Sequence, residues 1–195
     1  MRRKAFLALE ALGAQTQEFY FPKGAFSDDP GWDLFTAAWY STHLKALNEP
    51  SLLRLASTPS YESYRFVWLR TFRHPVTVRL DITVDGIGEL TAKVSEGLGG
   101  YMPGEIIENF SRRLTQERTS LFLAGVEENK FWELPSYDNS GPLGLDGSQW
   151  IIEGVKDGKY HVVDRWTPKT GTIRELGLEL ALRLAELKIP KHELY

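Results

Sequence analysis

Cysteine is absent from all 195 residues. That absence excludes a disulfide framework, a thiol nucleophile, thiolate-bound zinc and iron–sulfur chemistry. A charge imbalance is missing as well. The formal net charge is −3; residues 1–60 carry six basic and six acidic groups, and the remainder carries 17 and 20. No basic half offers a general electrostatic grip on nucleic acid or anionic lipid, so neither nucleic acid nor a membrane is expected as a partner. Long apolar runs are lacking too, for none approaches the roughly 20 residues that span a bilayer. Met1-Arg2-Arg3-Lys4 ahead of Ala5 to Leu9 resembles the start of a signal peptide, but Glu10 interrupts the apolar run. A secretory core needs about 7–15 apolar residues. The segment therefore reads as an amphipathic first helix, and the chain is expected in the cytoplasm.

What is present is an ordinary globular composition, 42% hydrophobic and 25% charged. A chain of this size buries roughly 70% of its unfolded surface. The patterns divide it into an N-terminal helical extension over 1–60 and a main domain over 61–195.

Asp29 ahead of Pro30 marks a helix start, because proline suits the first turn and aspartate caps its free amides. Trp32, Phe35, Trp39 and the Ala46/Leu47 pair then recur near the helical period, predicting one apolar stripe that the following sheet covers. Pro50 ends this helix and opens a short second one. From Tyr64 the period becomes two. Tyr64, Phe66 and Trp68 alternate with Arg65, Val67 and Leu69, and Val76 to Val84 alternates more cleanly still. Asp85-Gly86 turns the chain into a return strand through Leu90, Ala92 and Val94. Glu105 to Leu114 leans to a strand. Thr115 caps a helix over about 116–129 with Leu121, Phe122 and Val126 inward. After a polar connection from Ser136 to Ser148 comes a hairpin, Trp150 to Trp166, turning on Asp157-Gly158. Thr172 and Glu175 form a capping-box pattern at the head of a last helix, to about Leu187. The expected fold is α+β: an antiparallel sheet built from two ββα halves with helices on one face, plus the N-terminal extension.

A two-residue turn at Asp157-Gly158 pairs Lys156 with Lys159, Val155 with Tyr160 and Gly154 with His161. Trp150, Ile152, His161, Val163 and Arg165 then share one face; Ile151, Val155, Tyr160, Val162 and Trp166 share the other, with Glu153 and Asp164. Both faces are more apolar than a solvent-backed sheet allows, so either both are covered or one is a binding surface. His161 and Asp164 lie on opposite faces and cannot form a dyad. Gly154 opposite His161 leaves room for the imidazole.

Other chemistry is weaker. The basic–aromatic run Tyr64 to His74 resembles a nucleic-acid reader, but its period of two is that of a half-buried strand. Gly97, Gly99, Gly100 and Gly104 form a glycine-rich loop without a dinucleotide or phosphate-loop fingerprint. It reads as a wide turn needing positive φ, with a substrate-covering loop as the alternative. Asp28, Asp29 and Asp33 lack calcium-loop spacing, and His43, His74, His161 and His192 lack metal-ligand spacing. Neither a metal nor a cofactor is implied.

The stretch Gly144-Leu145-Asp146-Gly147-Ser148-Gln149-Trp150, through Glu153-Gly154-Val155, to Tyr160-His161-Val162-Val163-Asp164-Arg165-Trp166-Thr167-Pro168 resembles a family of uncharacterised bacterial proteins. Trp39-Tyr40-Ser41, Glu49-Pro50-Ser51-Leu52, Tyr64-Arg65-Phe66 and Phe131-Trp132 are similar to the same family. The resemblance covers about residue 32 onward and brings no activity, cofactor or catalytic residue with it. The expected function is a protein-binding module, in one form an inhibitor or immunity-type partner. Its binding residues are expected to be Trp150, Tyr160, His161, Arg165, Trp166, Arg70 and His74. The alternatives are an enzyme with a site around His161 and the Gly97–Gly104 loop, and a homodimer formed through the hairpin or the N-terminal aromatic helix.

Overall fold

A computed structural model describes residues 20–138 and 146–195. The amphipathic first helix expected from the Met1 to Leu9 stretch lies outside them. Pro30–Ala46 forms α1, capped by the Asp29 carboxylate, which accepts from the Trp32 amide at 2.8 Å. Leu52–Leu55 forms the one-turn α2. Strands β1 (Glu62–Arg70), β2 (Val76–Ile82), β3 (Gly88–Ser95) and β4 (Ile106–Arg113) follow as a meander. Then come α3 (Gln116–Glu128), capped by the Thr115 hydroxyl, the hairpin β5 (Ser148–Lys156) and β6 (Lys159–Trp166), and α4 (Thr172–Leu178).

All six strands join one antiparallel sheet in the order β4-β3-β2-β1-β5-β6. The meander walks outward from β1, and α3 carries the chain back so that β5 docks on the other side of β1. The unit before α3 is thus four strands long, so the halves expected as ββα are unequal. Asp157 and Gly158 have φ of 52° and 75°, which gives the hairpin its type I′ turn. The register is the expected one, Val155 opposite Tyr160 and Gly154 opposite His161.

Both faces of the sheet are covered. On one, Phe66, Trp68, Val78, Leu80, Trp150, Ile152 and Val163 meet Phe122 and Val126 of α3, Phe131, and Ile173, Leu176 and Leu180 of the last helix. On the other, Val67, Leu69, Ile151 and Val162 meet Ala37, Tyr40 and Leu44 of α1, with Tyr20, Phe21 and Phe26 beside them. Of the hairpin, β5 therefore lies in the interior beside β1, while β6 forms an edge of the sheet and is only partly buried.

Three local expectations are corrected. The buried stripe of α1 is Ala37, Tyr40 and Leu44, while Trp32 is 61% exposed and Phe35 and Trp39 are half-buried. The indoles lie on the flank because the smaller face of α1 fits the sheet more closely. Leu121 points outward at 67% exposure, its inward place taken by Thr119, which accepts from the Gly88 amide. Thr172 does not cap the last helix. Its hydroxyl donates to the Asn129 carbonyl and ties the end of α3 to the start of α4, while Gly171 holds the cap position at φ 94°. Past Leu178 the helix widens into a π-helical turn, Glu179–Leu184. No helix among the described residues is long and apolar enough to cross a membrane.

Candidate functional site

The hairpin residues separate into three neighbourhoods. At its tip, His161 lies against the rings of Phe131 and Trp132, with centroids 5.2 and 6.2 Å away. Burial lowers its pKa, opposed by the nearby Leu134 and Phe131 carbonyls. The space opposite the imidazole is filled: a Cβ on Gly154 would meet Phe131 at 2.8 Å, so this glycine makes room for Phe131 rather than for His161. An open groove of about 540 Å³ runs past Trp132, His161, Tyr160, Lys156 and Lys159. Tyr160 itself points to the opposite face, where its hydroxyl donates to Glu153 at 2.9 Å.

Near the far end of β6, Arg165 donates to the carbonyls of Pro135 and Ser136, fastening the segment that leaves the Phe131–Glu133 turn. Asp164 faces α1 and accepts from the Tyr40 hydroxyl at 2.8 Å. Burial pushes its carboxyl up to about 7. Trp166 is half-buried, its ring against Gly147.

Trp150, Arg70 and His74 come together at the end of the sheet where β1 leaves and β5 enters. Trp68 and Trp150 lie side by side on adjacent strands, ring centroids 4.6 Å apart, both fully buried. The Arg70 guanidinium covers Trp68 at 4.4 Å and that of Arg174 covers Trp150 at 5.2 Å. Against this cluster lies the segment after the last helix. Both indole N–H groups donate to the Tyr195 main-chain oxygen at 3.1 Å, Arg174 donates to the Leu194 carbonyl, and Arg70 and Arg73 grip Glu193 at 3.2 and 2.9 Å. The His74 Nδ1 lies 3.0 Å from the Gly97 carbonyl and so ties in the glycine loop.

That loop is not the wide positive-φ turn expected. Of its four glycines, Gly104 alone has positive φ. The others permit backbone contact: a Cβ on Gly99 would come within 2.5 Å of the Arg70 amide nitrogen. Gly99 and Gly100 donate to the Arg73 and Thr71 carbonyls. Tyr64, six residues before Arg70, is level with Gly154, the partner of His161, so loop and imidazole are separated by about 20 Å at 3.3 Å per residue. The constellation of His161 beneath the loop is therefore not assembled.

Two features escaped the sequence. One is a buried charge cluster beneath the α1–α2 connection. The Glu49 carboxylate receives Lys93 at 2.7 Å, Arg79 at 3.0 Å and Arg65 at 3.5 Å, and Arg65 also donates to Glu153 at 2.7 Å. Asp81 pairs with Arg79 and accepts from Tyr61. Arg65, Arg79 and Lys93 lie on three adjacent strands, and the only hint of that is their place opposite the apolar set of each strand. Arg65 and the rings of Tyr64, Phe66 and Trp68 are fully buried, so bases and phosphates cannot reach them. The other feature is an aromatic ridge. Trp32 stacks on Phe35 at 5.4 Å, Phe35 lies 6.5 Å from Trp39, and the Trp39 indole donates to His43 Nε2. His43 abuts the Tyr101 carbonyl, and the Tyr101 ring lies 6.2 Å from Phe72. Burial lowers His43 to about 4, so the imidazole is neutral.

Among the described residues no three of His, Asp and Glu converge as a metal site would require. Compared with family models and with curated proteins, the chain matches none.

Proposed function

We propose that this chain is a protein-interaction module that binds through the ridge on the outer flank of α1 and the neighbouring glycine loop, rather than through the faces of the hairpin. One observation carries the reading. Trp32, Phe72, Leu98, Tyr101 and Met102 are five of the nine large apolar side chains left exposed among the described residues, and all lie on this ridge or its loop. Contiguous exposed apolar surface is rare on soluble monomers and marks contact sites. Tryptophan, tyrosine and methionine are the residue types that interface cores favour. The scaffold beneath is rigid: Asp29 caps the helix, Asp33 accepts from the amides of Gly24 and Phe26, and the loop is pinned to the β1–β2 turn. Rigid aromatics bind at low entropic cost.

The test pairs the unaltered chain with the Trp32→Ser/Tyr101→Ser double variant, which deletes exposed rings without opening the core. A protein retained by the first and lost by the second supports the ridge. A concentration-dependent dimer in sedimentation velocity that the variant abolishes would identify the partner as a second copy. Equal behaviour of both chains in both experiments would sink the reading.

A further inference from the structure

We infer that the cleft built from Trp68, Trp150, Arg70, Arg73 and Arg174 is a binding site for a carboxylate-bearing peptide of another protein, and that residues 188–195 occupy it as a tethered competitor. This site is separate from the aromatic ridge and does not depend on it.

The 188–195 segment is held as a ligand is held. No residue within it is buried, and its own backbone bonds are those of one turn, Lys191–Glu193. Its grip comes from side chains of the sheet and of α4 aimed at its oxygens. Trp68 and Trp150 donate to the Tyr195 main-chain oxygen, Arg174 to that of Leu194, and Arg70 with Arg73 to the Glu193 carboxylate. Ile189 and Leu194 rest against the edge of the core, and the rest of the segment meets the sheet as acceptors facing these donors.

Most of the receiving side chains stand on strands of the sheet and are covered with the segment in place. Both tryptophans are fully buried on adjacent strands of the sheet, and Arg70 is 4% exposed, with Nε lacking a partner among the described residues. The Trp150 indole also donates to the Ser148 hydroxyl at 2.8 Å, so the Trp68 indole and the Arg70 guanidinium are the donors that most need an acceptor from the occupant. Three guanidinium groups select an anionic one. The spacing specifies it further: a carboxylate side chain two residues ahead of the main-chain oxygen seated between the indoles. A cavity of about 440 Å³ adjoins the site between Arg70, His74, Phe110 and residues 186–190, the segment itself forming part of its wall.

A tethered occupant acts at an effective concentration in the millimolar range, which an outside peptide has to overcome. Weakening the tethered copy should therefore raise affinity for the same sequence supplied in trans. The probe is a fluorophore-labelled peptide of residues 188–195, read by anisotropy against the full chain. E193Q in the chain is expected to tighten binding of the unaltered peptide roughly tenfold or more. The same Glu→Gln change placed in the peptide should weaken it by a similar factor, and Arg73→Gln added to the E193Q chain should cancel the gain. Excess peptide should also accelerate amide exchange of 190–195 in the unaltered chain while β1 and β5 stay protected. The proposal is overturned if the folded E193Q chain releases the segment in amide exchange yet binds no peptide saturably. It is equally overturned if the segment's exchange is unchanged by E193Q, since the carboxylate then does not hold it.

Discussion

Asp164 and His43 carry opposite electrostatic burdens within one layer of the molecule. The Asp164 carboxyl is buried between β6 and α1 with the Tyr40 hydroxyl as its donor, and burial outweighs that bond and the nearby Arg165 charge, raising its pKa from 3.8 to about 7. Between those values the folded chain keeps a proton that the unfolded chain has lost. Stability from this group is therefore complete below about pH 4 and lost as pH rises through 7. At about 1.4 kcal/mol per unit, the burden at pH 8 is on the order of 4 kcal/mol. Asp164→Asn keeps the acceptor for Tyr40 and removes the charge. It should raise the melting temperature at pH 8 and leave it nearly unchanged at pH 4, as calorimetry at the two values would reveal. His43 runs the other way, its pKa lowered by burial from 6.5 to about 4. Its stability is present above pH 6.5 and lost as pH falls through 4, a loss of about 3 kcal/mol on the same conversion. In the unaltered chain the two trends offset each other between pH 4 and 7. In Asp164→Asn the His43 term is unmasked, so stability should fall steadily on acidification; a flat profile in that variant would contradict the assignment. Neither shift was legible in the sequence, because burial of a single polar side chain depends on which helix covers its strand.

At the scale of elements, much of the sheet was legible and the helix faces were not. Strand alternation and the Asp-Gly turn defined the β5–β6 register and placed His161 and Asp164 on opposite faces, because side-chain period and turn type leave little freedom. The α1 stripe was misassigned because a helix offers many azimuths, and the one that packs is decided by fit to the sheet. Trp32 and Phe35 match the period as well as Ala37 and Leu44 do, yet the smaller pair lets the helix axis approach. The glycine loop was legible as a feature but not in its cause, since close backbone approach between 97–100 and 70–73 is a long-range fact. That cause makes a prediction. Gly99→Ala places a methyl against the Arg70 backbone, where neither side can yield without shifting β1. It should cost about 1–3 kcal/mol, the usual range for overpacking, and should disturb the Arg70–Glu193 contact as well. Gly158→Ala also costs stability, through positive φ, but it touches only the hairpin tip. Chemical denaturation of the two variants, with amide exchange at 190–195, separates these effects: both lose stability, and only the first loosens the segment.

For the molecule as a whole, the question is whether the layer formed by residues 20–56 is an appendage or part of one cooperative unit. Its apolar contact with Val67, Leu69, Ile151 and Val162 is modest beside the core on the opposite face of the sheet. Glu49 changes the balance. Its carboxylate reaches from the α1–α2 connection to Arg65 on β1, Arg79 on β2 and Lys93 on β3, while Glu153 of β5 holds the other side of Arg65. Three cations meet three anions there once Asp81 is included, so the buried cluster is balanced only with the helical layer in place. If that layer lifted away, Arg65 would be left in an apolar sheet face with Glu153 alone, and Lys93 would lose both Glu49 and the Asn48 carbonyl. Removing one partner of a buried pair typically costs 3–5 kcal/mol, and the cost comes from the charges left behind. Glu49→Gln should therefore destabilise the entire chain by about that amount. It should do so in a single transition, and added salt should not screen a contact from which solvent is excluded. Separate melting of a helical layer in the variant, seen as far-ultraviolet loss ahead of tryptophan exposure, would show instead that the cluster stabilises the layer locally and does not join it to the sheet.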